Sequence, residues 1–309
     1  MTPFRSTPLR VASLAARMLL GVFFIVSAVS KLLGIDQFEI YIFSYNLLSL
    51  NLSFLAARLV IVAEILIGIG LISNVFKRLV DLCSLILLTG FTLFLGYAFL
   101  VGRTDSCQCM GPLMEIDPAN SIIKNAVLFI VLVFAMGATP WRWSPKWYVW
   151  IPIVIAPFAT VFSISAPDNW LYGPSEEYFN QERLDKANAP QGVLHPLRLS
   201  QGRHVVAFLT PGCQFCRMTD EKLSHICRRN DLDSTAITYL MPKPDSTLAD
   251  LTPDTSTFSR PAYQIDLETY ARITYGQRPI VFLIDNGTVV TTCHYRNIDE
   301  RQITDFIQQ

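Results

Sequence analysis

The 309-residue sequence predicts two architectures in one chain, an α-helical membrane bundle of about five spans with a four-helix core and then a small α/β domain. Three observations carry this. Residues 1–166 hold 11 basic and 7 acidic side chains, and residues 167–309 hold 14 and 18, so a charge-poor, net-positive half precedes a charge-rich, net-negative one. Apolar runs of about 18 residues or more, the length a helix needs to cross about 30 Å of hydrocarbon, occur in the first half. In the second half short β-branched runs alternate with helical patterns, and Asp285-Asn286-Gly287 separates two of those runs as a hairpin turn would. The chain balances 25 basic against 25 acidic residues and is 51% hydrophobic, which excludes a disordered chain and a basic nucleic-acid binder. The expected domains are 1–166 in the bilayer, a tether over 167–192, and an α/β domain over 193–309.

Five runs read as spans: 12–33, with Arg17 and Lys31 near its ends; 57–74, with Glu64 inside; 79–102; 120–138, with Lys124 near its start; and 147–166. The third and fifth read as uninterrupted. The shorter apolar stretch from Gln37 to Phe54 reads as an interfacial segment. Trp141, Trp143, Trp147 and Trp150 precede the fifth run and Trp170 follows it, as aromatic anchors at two interfaces would.

Short-loop Lys and Arg mark the cytoplasmic side. Arg5, Arg10 and Arg17 stand at the N-terminus, Lys77 and Arg78 after the second run, and Arg142 and Lys146 after the fourth. The alternate loops are mixed or acidic, with Asp36, Glu39 and Arg58 on one and Arg103, Asp105, Glu115 and Asp117 on the other. The N-terminus is therefore expected in the cytoplasm and the α/β domain outside, which for a bacterial inner membrane is the periplasm.

Along the second half the expected elements are strands over 193–199 and 205–210, a helix through His225, a strand over 236–240 and a polar stretch to about Tyr263. A helix over 267–275, strands over 280–284 and 288–294 and a last helix over 299–307 complete it. Seven cysteines are present, and two pairs are close in sequence: Cys213 with Cys216, and Cys107 with Cys109. Cys213-Gln214-Phe215-Cys216 follows an apolar strand and opens a helix, with Thr210-Pro211-Gly212 as the turn. A thiol at a helix N-terminus feels the positive end of the dipole, which favours the attacking thiolate, and a second thiol one turn on can close the disulfide. A CxxC can also be half of a zinc site or an inert disulfide, but no second CxxC or paired histidine follows at zinc spacing, and no metal is expected. Cys83, Cys227 and Cys293 read as packing residues.

Val205-Val-Ala-Phe-Leu-Thr-Pro-Gly-Cys-Gln-Phe-Cys-Arg217 resembles a thioredoxin-fold active site, with Pro279 where that family keeps a cis-proline loop facing the CxxC. The resemblance covers residues 193–309 and implies a thioredoxin-like fold with Cys213, Cys216 and Pro279 as site residues. Arg278, before the proline, departs from the small or β-branched residue common there. Asp105-Ser-Cys107-Gln-Cys109-Met-Gly-Pro, with Ser30-Lys31-Leu32 and Glu64, resembles the DoxX/MauE family of four-span membrane proteins over about residues 12–140. That resemblance implies a link of Cys107 and Cys109 to disulfide formation, beside the reading of the two as a static disulfide or chance thiols. Glu64, an ionisable residue in an apolar span, is expected to face the bundle interior within reach of Lys31 or Lys124. Glu64 and Lys31 are read either as a structural ion pair or as a site binding a quinone or relaying protons.

The function expected is a membrane thiol–disulfide oxidoreductase acting on cysteine-containing exported proteins through Cys213 and Cys216, passing electrons to Cys107 and Cys109 and then to a membrane quinone. Two alternatives stand beside it. One is a reductant or isomerase bringing electrons outward, and the other a non-enzymatic maturation factor for an exported partner.

Overall fold

The structure is a computed structural model and describes residues 7–102, 117–137, 147–171, 179–243 and 253–308. By its contacts the chain divides into two units, Met1–Ile42 with Leu52–Ala166, and Phe43–Asn51 with Pro167–Gln309.

In the first unit polarity runs inside out. On α1 (Thr7–Leu33), Ser13, Arg17, Ser27, Ser30 and Lys31 are buried while Leu19, Val22, Val26, Val29 and Leu33 are exposed. The buried positions recur at three- and four-residue spacing, so the polar side chains share the inward face with Leu20, Phe24 and Ala28 while the outward face is apolar. A helix folding in water does the opposite. Hydrocarbon accounts for the inversion, because lipid gives apolar side chains no reason to leave the surface and polar ones find partners only inside the bundle. α1, α3 (Leu50–Ser73) and α4 (Lys77–Leu100) are long and apolar enough to cross a membrane. α5 (Pro118–Ala135) and α6 (Trp150–Ile164) are shorter apolar helices. A Cβ on Gly21 would stand 2.8 Å from the Gly68 carbonyl oxygen, and one on Gly68 would stand 2.8 Å from that of Gly21. The two helix backbones touch there, as small residues permit between membrane helices.

Several expectations change here. The segment after α1 is the helix α2 (Ile35–Phe43), and α3 begins at Leu50 rather than residue 57, so Glu39 and Arg58 are helical, buried and paired instead of lying in a loop. The run over 79–102 is not uninterrupted, since Asp81 lies in α4 and pairs with Arg17 and Lys77. Trp141 and Trp143, like Arg5, Arg142 and Lys146, lie outside the described residues.

The second unit is built on a six-stranded sheet, β1 (Arg203–Phe208), β2 (Ile237–Lys243), β3 (Pro253–Asp254), β4 (Ala262–Asp266), β5 (Ile280–Asp285) and β6 (Thr288–His294), in the order β3-β4-β2-β1-β5-β6. β4, β2 and β1 are parallel, β5 runs against β1, and β6 runs against β5 and so in the direction of β1. Val206, Phe208, Leu240, Phe282 and Ile284 form one core with Leu184 of α8 (Gln181–Asn188) and Ile273 of α10 (Leu267–Thr274). The alternate residues Val205, Ala207, Val281 and Leu283 are buried too, so β1 and β5 are covered on both faces. α9 (Gln214–Arg229) and α11 (Glu300–Gln308) also pack together. Asn286 and Gly287 carry φ of 49° and 87°, the primed turn that matches strand twist in a hairpin.

Residues 193–199 are not a strand. They form a turn around the 3-10 segment His195–Leu197, where Pro196 has no N–H for a ladder and Arg198 takes a left-handed φ of 51°. Leu194 and Leu199 still reach the core from that turn. The tether shortens as well, because α8 falls inside 167–192 and buries Leu184 and Ala187. The polar stretch before Tyr263 supplies the short strand β3 and runs into β4, with Pro253 and Asp254 opposite Tyr263 and Ala262.

Candidate functional site

β1 ends at Phe208, the chain turns through Gly212 at φ 73°, and Cys213 becomes the N-cap of α9. The Cys216 N–H donates to Cys213 Sγ at 3.3 Å, a sulfur standing where Ser or Asp commonly caps a helix. Cys213 is half-buried and Cys216 is fully buried, and both are thiols. Cys216 Sγ in turn accepts the Thr210 N–H at 3.3 Å. Burial pushes the Cys216 thiol up to about 12, with the Cys213 sulfur adding to the rise, while the Thr210 N–H and the Arg278 guanidinium oppose it. The two sulfurs are thereby separated by exposure, Cys213 the more open and Cys216 the shielded one.

Pro279 is brought to the same end of the sheet by register. It is buried, its peptide with Arg278 is cis, and the next residue, Ile280, pairs with Phe208 at the end of β1. The Tyr270 hydroxyl lies 3.3 Å from the Thr210 hydroxyl, and Tyr270 is buried against the Phe208 ring with its own titration pushed up to about 12 by burial. Cys213, Cys216 and Pro279 thus come to one end of the sheet as expected, joined by Thr210 of the expected turn and by Tyr270, which the sequence reading missed. Tyr270 gives no local signal, because its partner is 60 residues away.

In the membrane unit Lys31 Nζ donates to Glu64 Oε1 at 2.7 Å, to Oε2 at 2.9 Å and to Ser27 Oγ at 2.6 Å. Its ammonium stands 5.5 Å from the Phe91 ring centre and 5.9 Å from that of Phe38. The adjoining cavity, bordered also by Lys124 and Asn125, is about 20 Å³, room for one water molecule. Two further pairs are buried on described residues, Arg17 with Asp81 and Arg58 with Glu39, the latter Arg also donating to the carbonyls of Phe54, Ser165 and Ala166. Asp81 was readable as an acid inside an apolar run. Cys107 and Cys109 lie outside the described residues. Cys227 and Cys293 are buried, and burial raises the first and pushes the second to about 12, as expected of packing thiols.

An inside-out helical bundle followed by a sheet carrying Cys213-x-x-Cys216 beside a cis-proline defines a membrane domain joined to a thioredoxin-like domain. The first part is MauE-like: residues 9–138 match the family described as Methylamine utilisation protein MauE. The chain is also similar to Protein TlpB of Flavobacterium psychrophilum, 25% identical over 267 aligned residues that cover 69% of this chain and 72% of that protein. No solved structure matches it.

Proposed function

We propose that the protein is a membrane-bound thiol–disulfide oxidoreductase exchanging disulfides with cysteine-containing exported proteins. The observation that carries this reading is the half-exposed Cys213 sulfur at the N-cap of α9, with the buried Cys216 sulfur one turn on and Pro279 beside them. Acting as oxidant, the Cys213–Cys216 disulfide is attacked at Cys213 by a substrate thiolate. A substrate–Cys213 disulfide forms, and Cys216 leaves as thiolate and takes up a proton. A second substrate thiolate then attacks the first substrate sulfur and releases Cys213, so two electrons pass from substrate to the domain.

Cys107 and Cys109, as a disulfide, reoxidise the dithiol by the same exchange, and the alternating basic loops support placing both pairs outside the membrane with the N-terminus inside. A quinone is the class of acceptor for the final electrons. Lys31 and Glu64, an ion pair buried in the apolar bundle, are the residues offered for binding it or relaying its protons.

Trapping tests the reading. In cells making the full chain with Cys216→Ser, exported proteins should accumulate as reductant-sensitive adducts on Cys213, absent when Cys213→Ser is added. If no adduct forms while Cys213 remains alkylatable, the exchange reading is wrong. A reporter that works only in the cytoplasm, fused after Gln309, should be silent.

A further inference from the structure

The thiols of the second unit sit beside two arginines that the exchange chemistry itself does not require. Arg217 directly follows Cys216 and lies one helical turn from Cys213, with its N–H bonded to the Cys213 carbonyl at 3.1 Å. Arg278 precedes Pro279, and its charge acts on both Cys216 and Tyr270. Both side chains are exposed, and among the described residues neither is in an ion pair. Several other arginines of this unit are paired, Arg203 with Asp285, Arg272 with Glu268 and Arg296 with Asp168. The carboxylates on the same stretch of α9 do not neutralise them. Asp220 is buried and holds the Ser259 N–H at 2.9 Å, and Glu221 is half-buried with a contact of its own.

A partner joined to Cys213 through a disulfide must lay its flanking residues across this rim, and carboxylates there meet the exposed guanidinium groups of Arg217 and Arg278. We infer that Arg217 and Arg278 select partner cysteine segments flanked by acidic residues, an inference that rests on the exchange reading above. The chain itself contains a segment of that chemistry: around Cys107 and Cys109 the sequence holds Asp105, Glu115 and Asp117 against one cation, Arg103. Charge pairing across an exposed rim acts on encounter and partner choice and is screened by salt.

The test uses the full-length protein with Cys107→Ser and Cys109→Ser, reduced, in detergent. Its probes are two synthetic peptides of residues 103–117, each oxidised to the disulfide between its two cysteines. One has the natural sequence and the other has Asp105, Glu115 and Asp117 replaced by Asn, Gln and Asn. The Cys213 thiolate attacks a peptide sulfur, the peptide disulfide opens and its leaving thiolate is protonated. Cys216 then attacks Cys213 and releases the peptide as a dithiol, so the protein's two electrons end on the peptide.

At low salt the natural peptide should react roughly three- to tenfold faster than the substituted one, a range set by one or two exposed charge pairs. The ratio should fall toward one in the Arg217→Gln, Arg278→Gln variant and at high salt, while the substituted peptide's own rate reports that the variant is folded and reactive. Equal rates in the parent protein, or an unchanged ratio in the variant, overturn the selectivity and leave the exchange reading standing. Failure to exchange with either peptide or with a small disulfide overturns both.

Discussion

The two units differ in how they place most of their charges, although Asp168, Asp220 and Lys222 of the α/β unit are buried as well. In the membrane unit Lys31 and Glu64, Arg17 and Asp81, and Arg58 and Glu39 stand as opposite charges with at most 5% of any of these side chains exposed. In the α/β unit the pairs Lys186–Glu182 and Arg272–Glu268 are more than half exposed, and the buried titratable groups beside the CxxC are thiols and a phenol held neutral. The solvent makes the difference. Water solvates a lone surface charge at little cost, whereas a charge facing hydrocarbon must find its counter-charge inside the bundle. A pair that is nearly dispensable in one half is therefore structural in the other.

The largest expected effect breaks this comparison at its strongest point. Lys31→Met should cost about 3–5 kcal/mol by leaving the Glu64 carboxylate buried alone, and adding Glu64→Leu should recover most of it. Thermal melts in detergent measure both variants. A single variant as stable as the parent would mean that Glu64 reaches water.

Alkaline titration tests the neutral burial of the other half. Cys216 and Cys293 are raised from an ordinary 9.0 to about 12 in the folded chain, so between those values the unfolded chain has released protons that the folded one keeps. The folded state then binds more protons, and stability falls as pH rises through that window. The melting temperature of the reduced protein should decline steadily above pH 9, and a flat profile to pH 11 would contradict the burial.

A smaller effect sharpens the picture at the site. Tyr270→Phe keeps the packing on Phe208 and removes the hydroxyl bonded to Thr210, which should cost about 1 kcal/mol. Because Thr210 holds the Cys216 sulfur, the variant should also resolve a Cys213 mixed disulfide more slowly, read by quenched gel assays. Unchanged resolution would confine Tyr270 to packing. Smallest of all, Lys186→Ala should leave the melting temperature nearly unchanged, because its pair with Glu182 is exposed to water. A loss near that of Lys31→Met would erase the contrast between the halves.

Much of this was readable along the chain. Apolar run length announces membrane helices, Cys213-x-x-Cys216 after an apolar strand announces a thiol at a helix start, and Asn286-Gly287 announces its hairpin, because each is a property of consecutive residues. Glu64 advertised a partner by its cost in an apolar span, and Lys31 answers. Residues 193–199 misled because their apolar residues fill the core from a turn, and α8 was missed because it is polar except for a narrow buried stripe. Sequence by itself determined the two solvents, the elements that fit each, and the thiol pair. The tertiary structure alone decided that Arg17 meets Asp81, that Arg58 meets Glu39, that Tyr270 stands behind Thr210, and that Arg278 comes to the end of the sheet that carries Cys216. Those meetings join residues far apart in sequence, and no periodicity along a chain fixes the angle at which one folded element packs on another.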